Sequence, residues 1–184
     1  MPQFLAKGYK IIVMPPLPLP AHGVLIRLNN VGVFVIGESG TGKSETALQL
    51  IHQGAVLICD DAPQLTADKN NGELIGLCAD DFFGLMHIRD VGIINIIQLL
   101  DKSHCEKRQR VDFIIELIKP AGDFKLVSNP APAYKSWIYH DKTQQQNWKI
   151  PGIGIHLYPQ RNIPLLIQTA VAQFACSRKE PVRE

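Results

Sequence analysis

The sequence predicts an α/β domain with a mixed, strand-rich core, and three observations carry that expectation. An apolar run, Val31–Ile36, leads into the glycine-rich segment Gly37–Ser44, and a helical pattern follows at once. Further along, short apolar runs between turn residues outnumber helical patterns. Apolar residues make up 46% of the 184 residues and charged residues 20%, a balance that buries one core without staples.

The elements are justified in chain order. Residues 1–21 carry Pro15, Pro16, Pro18 and Pro20, which predict an irregular arm of polyproline or edge conformation. A single domain is expected over 22–176. It begins with a strand at Val24–Leu28 and a turn at Asn29-Asn30. The Val31–Ile36 run lacks polar alternation, which fits a strand buried on both faces. A helix is expected from Lys43 to Gln53, with Ala47, Leu48, Leu50 and Ile51 on its apolar face and Gly54 just past its end. Ala55–Cys59 reads as a second buried strand, so strand, loop, helix and strand form a βαβ-like unit.

Gln64–Ala67 and Leu74–Cys78 flank the turn signal Asp68–Gly72 and predict a hairpin. Met86–Arg89 and Ile93–Ile97 are short extended segments around Gly92, and Val111–Ile118 is strand-like. Residues 120–150 are rich in Pro, Gln, Asn and Lys and read as loop. Ile153–Tyr158 is a further strand. Pro164 suits the first turn of a last helix running to about Cys176, with Leu165, Leu166, Thr169, Ala172 and Cys176 on one stripe. Residues 177–184 read as a frayed tail.

Composition narrows the function classes. A net charge of +2 is too small to argue for a nucleic-acid partner, and Lys107, Arg108 and Arg110 read as a solvated loop or helix face. No apolar stretch reaches membrane-spanning length, and the prolines after Lys7 and Lys10 exclude a signal peptide. Cys59, Cys78, Cys105 and Cys176 show neither a CxxC pair nor zinc spacing, so free thiols in a reducing, cytoplasmic setting are expected.

Gly37-Glu38-Ser39-Gly40-Thr41-Gly42-Lys43-Ser44 is a full GxxxxGK[ST] match, the P-loop. Its glycines allow backbone conformations closed to other residues, so that amide groups converge on phosphate oxygens. The helix that opens at Lys43 adds its dipole and unpaired donors. Lys43 supplies a point charge to the outer phosphates of a nucleoside triphosphate, and Ser44 offers a hydroxyl to magnesium. A glycine-rich turn that binds nothing is the bland alternative; the strand before it and the helix after it argue against that.

Asp60-Asp61 follows the second strand. One carboxylate can hold magnesium through water, and the other can take a proton from an attacking hydroxyl. Side by side, they raise each other's proton affinity. A turn or helix cap is the structural alternative for the pair. His22, His87, Arg89 and Arg161 each read either as solvated side chains or as site residues, Arg89 by neutralising transferred charge.

These segments, in this order, resemble the catalytic domain of the bacterial HPr kinase/phosphorylase family. The resemblance rests on HGV at His22–Val24, GESGTGKSETALQLI at Gly37–Ile51, Asp60-Asp61, IRDVGIIN at Ile88–Asn95 and PQRN at Pro159–Asn162. It implies a P-loop kinase domain with a core similar to phosphoenolpyruvate carboxykinase. It also implies a serine kinase, dependent on ATP and magnesium, for the phosphocarrier HPr of the sugar phosphotransferase system. Inorganic phosphate drives that family's reverse step. By the matched positions, Lys43 and the loop bind ATP, Ser44 binds magnesium, Asp61 is the general base and reverse acid, and His22 is a further active-site residue. A homo-oligomer, a hexamer in family members with both domains, is implied as well.

The sequence also departs from the family pattern. Only the arm precedes His22, where the family has a separate domain, as in its short form. His87 stands where the family has a magnesium-binding glutamate, a harder ligand. Asp90 and Gln160 stand at family glycines, and Tyr158 stands where an arginine precedes the proline. Lys135, after Tyr134, is the nearest candidate for a catalytic arginine, to which a lysine is not equivalent. These departures keep two alternatives open: a P-loop kinase for another acceptor, and a nucleotide-sensing module without turnover.

Overall fold

The computed structural model describes residues 15–68, 70–120, 133–141 and 146–179. In chain order the strands are β1 (Leu17–Pro18), β2 (Val24–Leu28), β3 (Val31–Gly37), β4 (Val56–Cys59), β5 (Gln64–Ala67), β6 (Leu74–Leu77), β7 (Leu85–Ile88), β8 (Gly92–Asn95), β9 (Arg108–Arg110), β10 (Phe113–Ile118), β11 (Ala133–Asp141) and β12 (Gln146–His156). The α-helices are α1 (Lys43–His52), α2 (Ile96–Leu99) and α3 (Ile163–Lys179).

A seven-stranded mixed sheet, ordered β1-β11-β12-β10-β3-β2-β4, forms the centre. Its middle is parallel: β12, β10 and β3 run together, with Leu117 opposite Gly37. Strand β2 turns back antiparallel through Asn29 and Asn30, both at positive φ (51° and 62°), a conformation that asparagine tolerates. The expected βαβ-like unit is therefore split. β3 and β4 run the same way, but β2 lies between them and pairs antiparallel with both.

The unbroken apolar run of β3 is explained by two covers. Val33 and Val35 face one cluster with Ala47, Leu50 and Ile51 of α1 and Ile167 and Val171 of α3. Phe34 and Ile36 face the other, with Val56, Ile58, Leu74 and Trp137. A three-stranded sheet, β5-β6-β9, contributes Leu74 to this second side.

Four expectations are corrected. Within 120–150, which read as loop, β11 and β12 form a long antiparallel hairpin with Trp137 buried. The polar and proline signal comes largely from residues 121–132 and 142–145, which lie outside the described residues. The Lys107–Arg110 cluster is a solvated loop only at the exposed Lys107. Arg108–Arg110 is strand β9, where Arg108 pairs with Asp68 at 2.7 Å and Arg110 with Asp112 at 2.6 Å. The extended segment expected through Ile97 ends at Asn95, whose side chain caps α2 by accepting from the Ile97 and Gln98 amides. Finally, the last helix continues past Cys176 to Lys179, so Ser177–Lys179 is not frayed tail.

Of the Pro-rich arm, Leu17–Pro18 is a short edge strand parallel to β11, in line with the edge conformation expected. Residues 1–14 and 180–184 lie outside the described residues. No helix among the described residues is long and apolar enough to cross a membrane.

Candidate active site

The site forms where β3 ends. At Gly37 (φ 149°) a Cβ would meet the Leu117 carbonyl oxygen at 2.6 Å, so neighbouring strand β10 leaves room only for glycine. The chain then loops back on itself: the Thr41 hydroxyl donates to the Glu38 carbonyl at 2.9 Å. Gly42 caps α1 in the left-handed region (φ 76°, ψ 31°) with no side-chain acceptor over the helix end. The first intrahelical bond is Thr46 N–H to Gly42 O, at 2.9 Å. The amides of Lys43, Ser44 and Glu45 therefore have no partner within the helix and carry its positive end. That is the chemistry of an anion cradle. The Lys43 ammonium lies along the loop, donating to Gly37 O at 3.1 Å and Glu38 O at 3.2 Å.

The two adjacent aspartates separate. Asp60, at the end of β4, turns toward the loop and accepts from the Ser44 hydroxyl at 2.9 Å and from the His87 amide at 2.9 Å. Asp61 has positive φ (70°) and turns out to solvent, its side chain 79% exposed. Its Oδ1 lies 3.9 Å from His22 Nδ1, and its carbonyl accepts from the Gly23 amide at 2.8 Å. The HGV segment and the aspartate pair, far apart in sequence, thus meet.

Burial raises the Asp60 carboxyl above the ordinary carboxylate range, against the lowering pull of the His87 and Ser44 hydrogen bonds. The charge of Asp61 adds to the rise only after these, so mutual repulsion is not the main cause expected from the sequence. The folded chain holds this proton to higher pH than the unfolded chain. The stability so contributed is fully present below the unfolded-state pKa and is lost as pH rises through the folded one. Urea unfolding in metal-free buffer should therefore show the stability of the native chain, relative to Asp60→Asn, declining with pH across that window. A difference flat in pH would contradict the assignment.

Of the remaining candidates, His87 reaches the site through its backbone amide, and its side chain is exposed. No group of three or more His, Cys, Asp and Glu suited to a metal ion occurs among the described residues. Arg89 lies against the loop: its Nη2 is 3.3 Å from the point a Cβ on Gly40 would occupy. Lys135 pairs with Glu116 within the sheet, and Arg161 donates to His156 O at 3.0 Å. Sequence reasoning passed over Lys119. It donates to Ser39 O at 2.7 Å from the end of β10. The available signal was a cation at the carboxyl end of a strand beside the loop strand, where α/β sheets place their ligands.

Fold and site define a P-loop kinase fold. The family model described as HPr Serine kinase C-terminal domain matches residues 19–182, and the chain belongs to that family. The HPr kinase/phosphorylase of Treponema pallidum (strain Nichols) is 36% identical over 155 residues, covering 81% of this chain and 44% of the relative. That of Clostridium perfringens (strain 13 / Type A) is 32% identical over 164 residues, covering 88% and 50%. The chain therefore spans about half the length of the curated relatives it matches. The solved Hpr(Ser) kinase/phosphatase from Coxiella burnetii matches with a TM-score of 0.73 at 32% identity, covering 86% of this chain and 91% of that one.

Proposed function

We propose that this chain is a cytoplasmic serine kinase/phosphorylase that uses ATP and magnesium to act on the phosphocarrier HPr of the sugar phosphotransferase system, and so regulates carbohydrate metabolism. The observation that carries the reading is the Ser44–Asp60 hydrogen bond at the mouth of the loop, with Asp61 and His22 set beside it. Assembly as a homo-oligomer goes with this reading through the family.

The donor set suits magnesium. Ser44 Oγ and the Asp60 carboxylate are hard oxygen donors 2.9 Å apart at a helix N-terminus, where phosphate oxygens and water complete a shell. Ser44 would hold the ion directly and Asp60 directly or through water; His87, a softer donor, takes no part beyond its amide. Magnesium, when bound, screens negative charge on the phosphates.

The protein's own groups do the rest. The loop amides and Lys43 fix the phosphates in line with the acceptor. Asp61 takes the proton of the seryl hydroxyl as its oxygen bonds to the terminal phosphorus. The bond from that phosphorus to the bridging oxygen breaks, and its electron pair leaves with ADP. In reverse, inorganic phosphate attacks the phosphoseryl group, pyrophosphate forms, and Asp61 returns the proton to the serine oxygen. His22 Nδ1 lies 3.9 Å from Asp61 Oδ1, beyond hydrogen-bond distance, and stands beside the base as a further active-site residue.

Incubation with labelled ATP, magnesium and HPr should transfer label to a seryl residue, with Lys43→Ala as control. Unlabelled HPr beside another labelled acceptor would sink the HPr assignment and leave a P-loop kinase. Nucleotide binding with no transfer to any acceptor would leave a sensor.

A further inference from the structure

We propose that Lys119 binds the terminal phosphoryl group held by the loop, as a second phosphate-binding cation alongside Lys43; this rests on the nucleotide reading above. Its position follows from sheet register. Leu117 on β10 lies opposite Gly37 on parallel β3, so a short step further along the chain puts Lys119 level with the loop. Pro120 biases the Lys119 backbone toward an extended conformation, which sets where the side chain starts.

The ammonium meets the middle of the loop. It donates to Ser39 O at 2.7 Å and lies 3.8 Å from the point a Cβ on Gly40 would occupy. Arg89 Nη2 reaches the same point to 3.3 Å from the β7–β8 hairpin. Two cations from different elements therefore converge on Gly40, while Lys43 is bonded to carbonyls at the loop's start.

The present partners of Lys119 are weak ones. Ser39 O is a neutral carbonyl. Glu38 Oε2 is 3.8 Å away on a side chain 78% exposed, where water screens the pair. A charged phosphoryl oxygen makes a stronger hydrogen bond to ammonium than a neutral carbonyl does. The Lys119 side chain is 47% exposed and has room to turn from one to the other. It transfers no proton and forms no covalent bond. It places charge on the phosphoryl oxygens while the bond to ADP breaks and the bond to the acceptor oxygen forms.

Lys119→Met and Lys119→Arg test this through binding alone. Each variant is titrated calorimetrically with magnesium and either ADP or the β,γ-imido analogue of ATP. Losing one charge-assisted bond, Lys119→Met should bind the imido analogue about tenfold more weakly and ADP within about twofold of the native chain. Lys119→Arg should recover most of the difference. Equal losses for both nucleotides would mark a loop strut only and overturn the proposal; no loss for either would overturn it too. A native chain that binds neither nucleotide would sink the nucleotide reading as well. Nucleotide binding with this pattern but without HPr labelling would support the Lys119 assignment and count only against the acceptor.

Discussion

Lys43→Ala should cut phosphoryl transfer steeply while leaving the chain folded. Removing a preorganised charge from a phosphate site costs about 100- to 1000-fold in kcat, or about 3–4 kcal/mol of transition-state stabilisation. The fold should survive because the ammonium is partly exposed and bonds only to the loop carbonyls Gly37 O and Glu38 O. Circular dichroism should match the native chain, and the rise in melting temperature that ATP and magnesium give the native chain should shrink or vanish. Turnover within a few-fold of native would remove Lys43, and with it the cradle, from the mechanism.

Asp61→Asn should lower the forward rate by about 100- to 10,000-fold, the usual contribution of a positioned base, with nucleotide affinity little changed. Asparagine is the informative substitution. Asp61 has φ 70°, and asparagine is among the few residues that enter this region readily, so the backbone stays in place. Alanine would add backbone strain to the loss of the base and blur the result. Asp61 is exposed, so stability should hardly move in the Asn variant. Single-turnover measurements separate chemistry from binding; an unchanged transfer step in Asp61→Asn would assign the base elsewhere.

Much of the nucleotide half was legible in the sequence. Val24–Leu28 and the hairpin at Gln64–Ala67 fall where turn residues and apolar runs put them. Local chemistry dominates there: a left-handed Asn-Asn turn, or an apolar strand covered on both faces. Strand β11 was illegible for the converse reason. Its polar residues read as loop, but Trp137 and Asp141 are buried and Lys135 is paired with Glu116 on β10, a partner composition does not show. Strand β9 was hidden because Asp68 and Glu73, partners remote in sequence, join the nearby Asp112 in neutralising its arginines.

Asp90 and Gln160, the two residues that the resemblance sets against glycines, have φ of 63° and 68°. Both turns are left-handed without glycine. Aspartate tolerates that conformation better than glutamine, which has no short side chain to bond its own backbone.

By itself the sequence determined the cradle: glycine spacing, Lys43 and a helix start are local, and neighbouring residues suffice to build them. Tertiary structure alone decided how the rest of the site comes together. It sent Asp60 inward and Asp61 outward, brought His22 across to Asp61, and aimed Arg89 and Lys119 at one glycine. Those distances depend on which strands lie side by side and in what register, and packing of the whole sheet sets both.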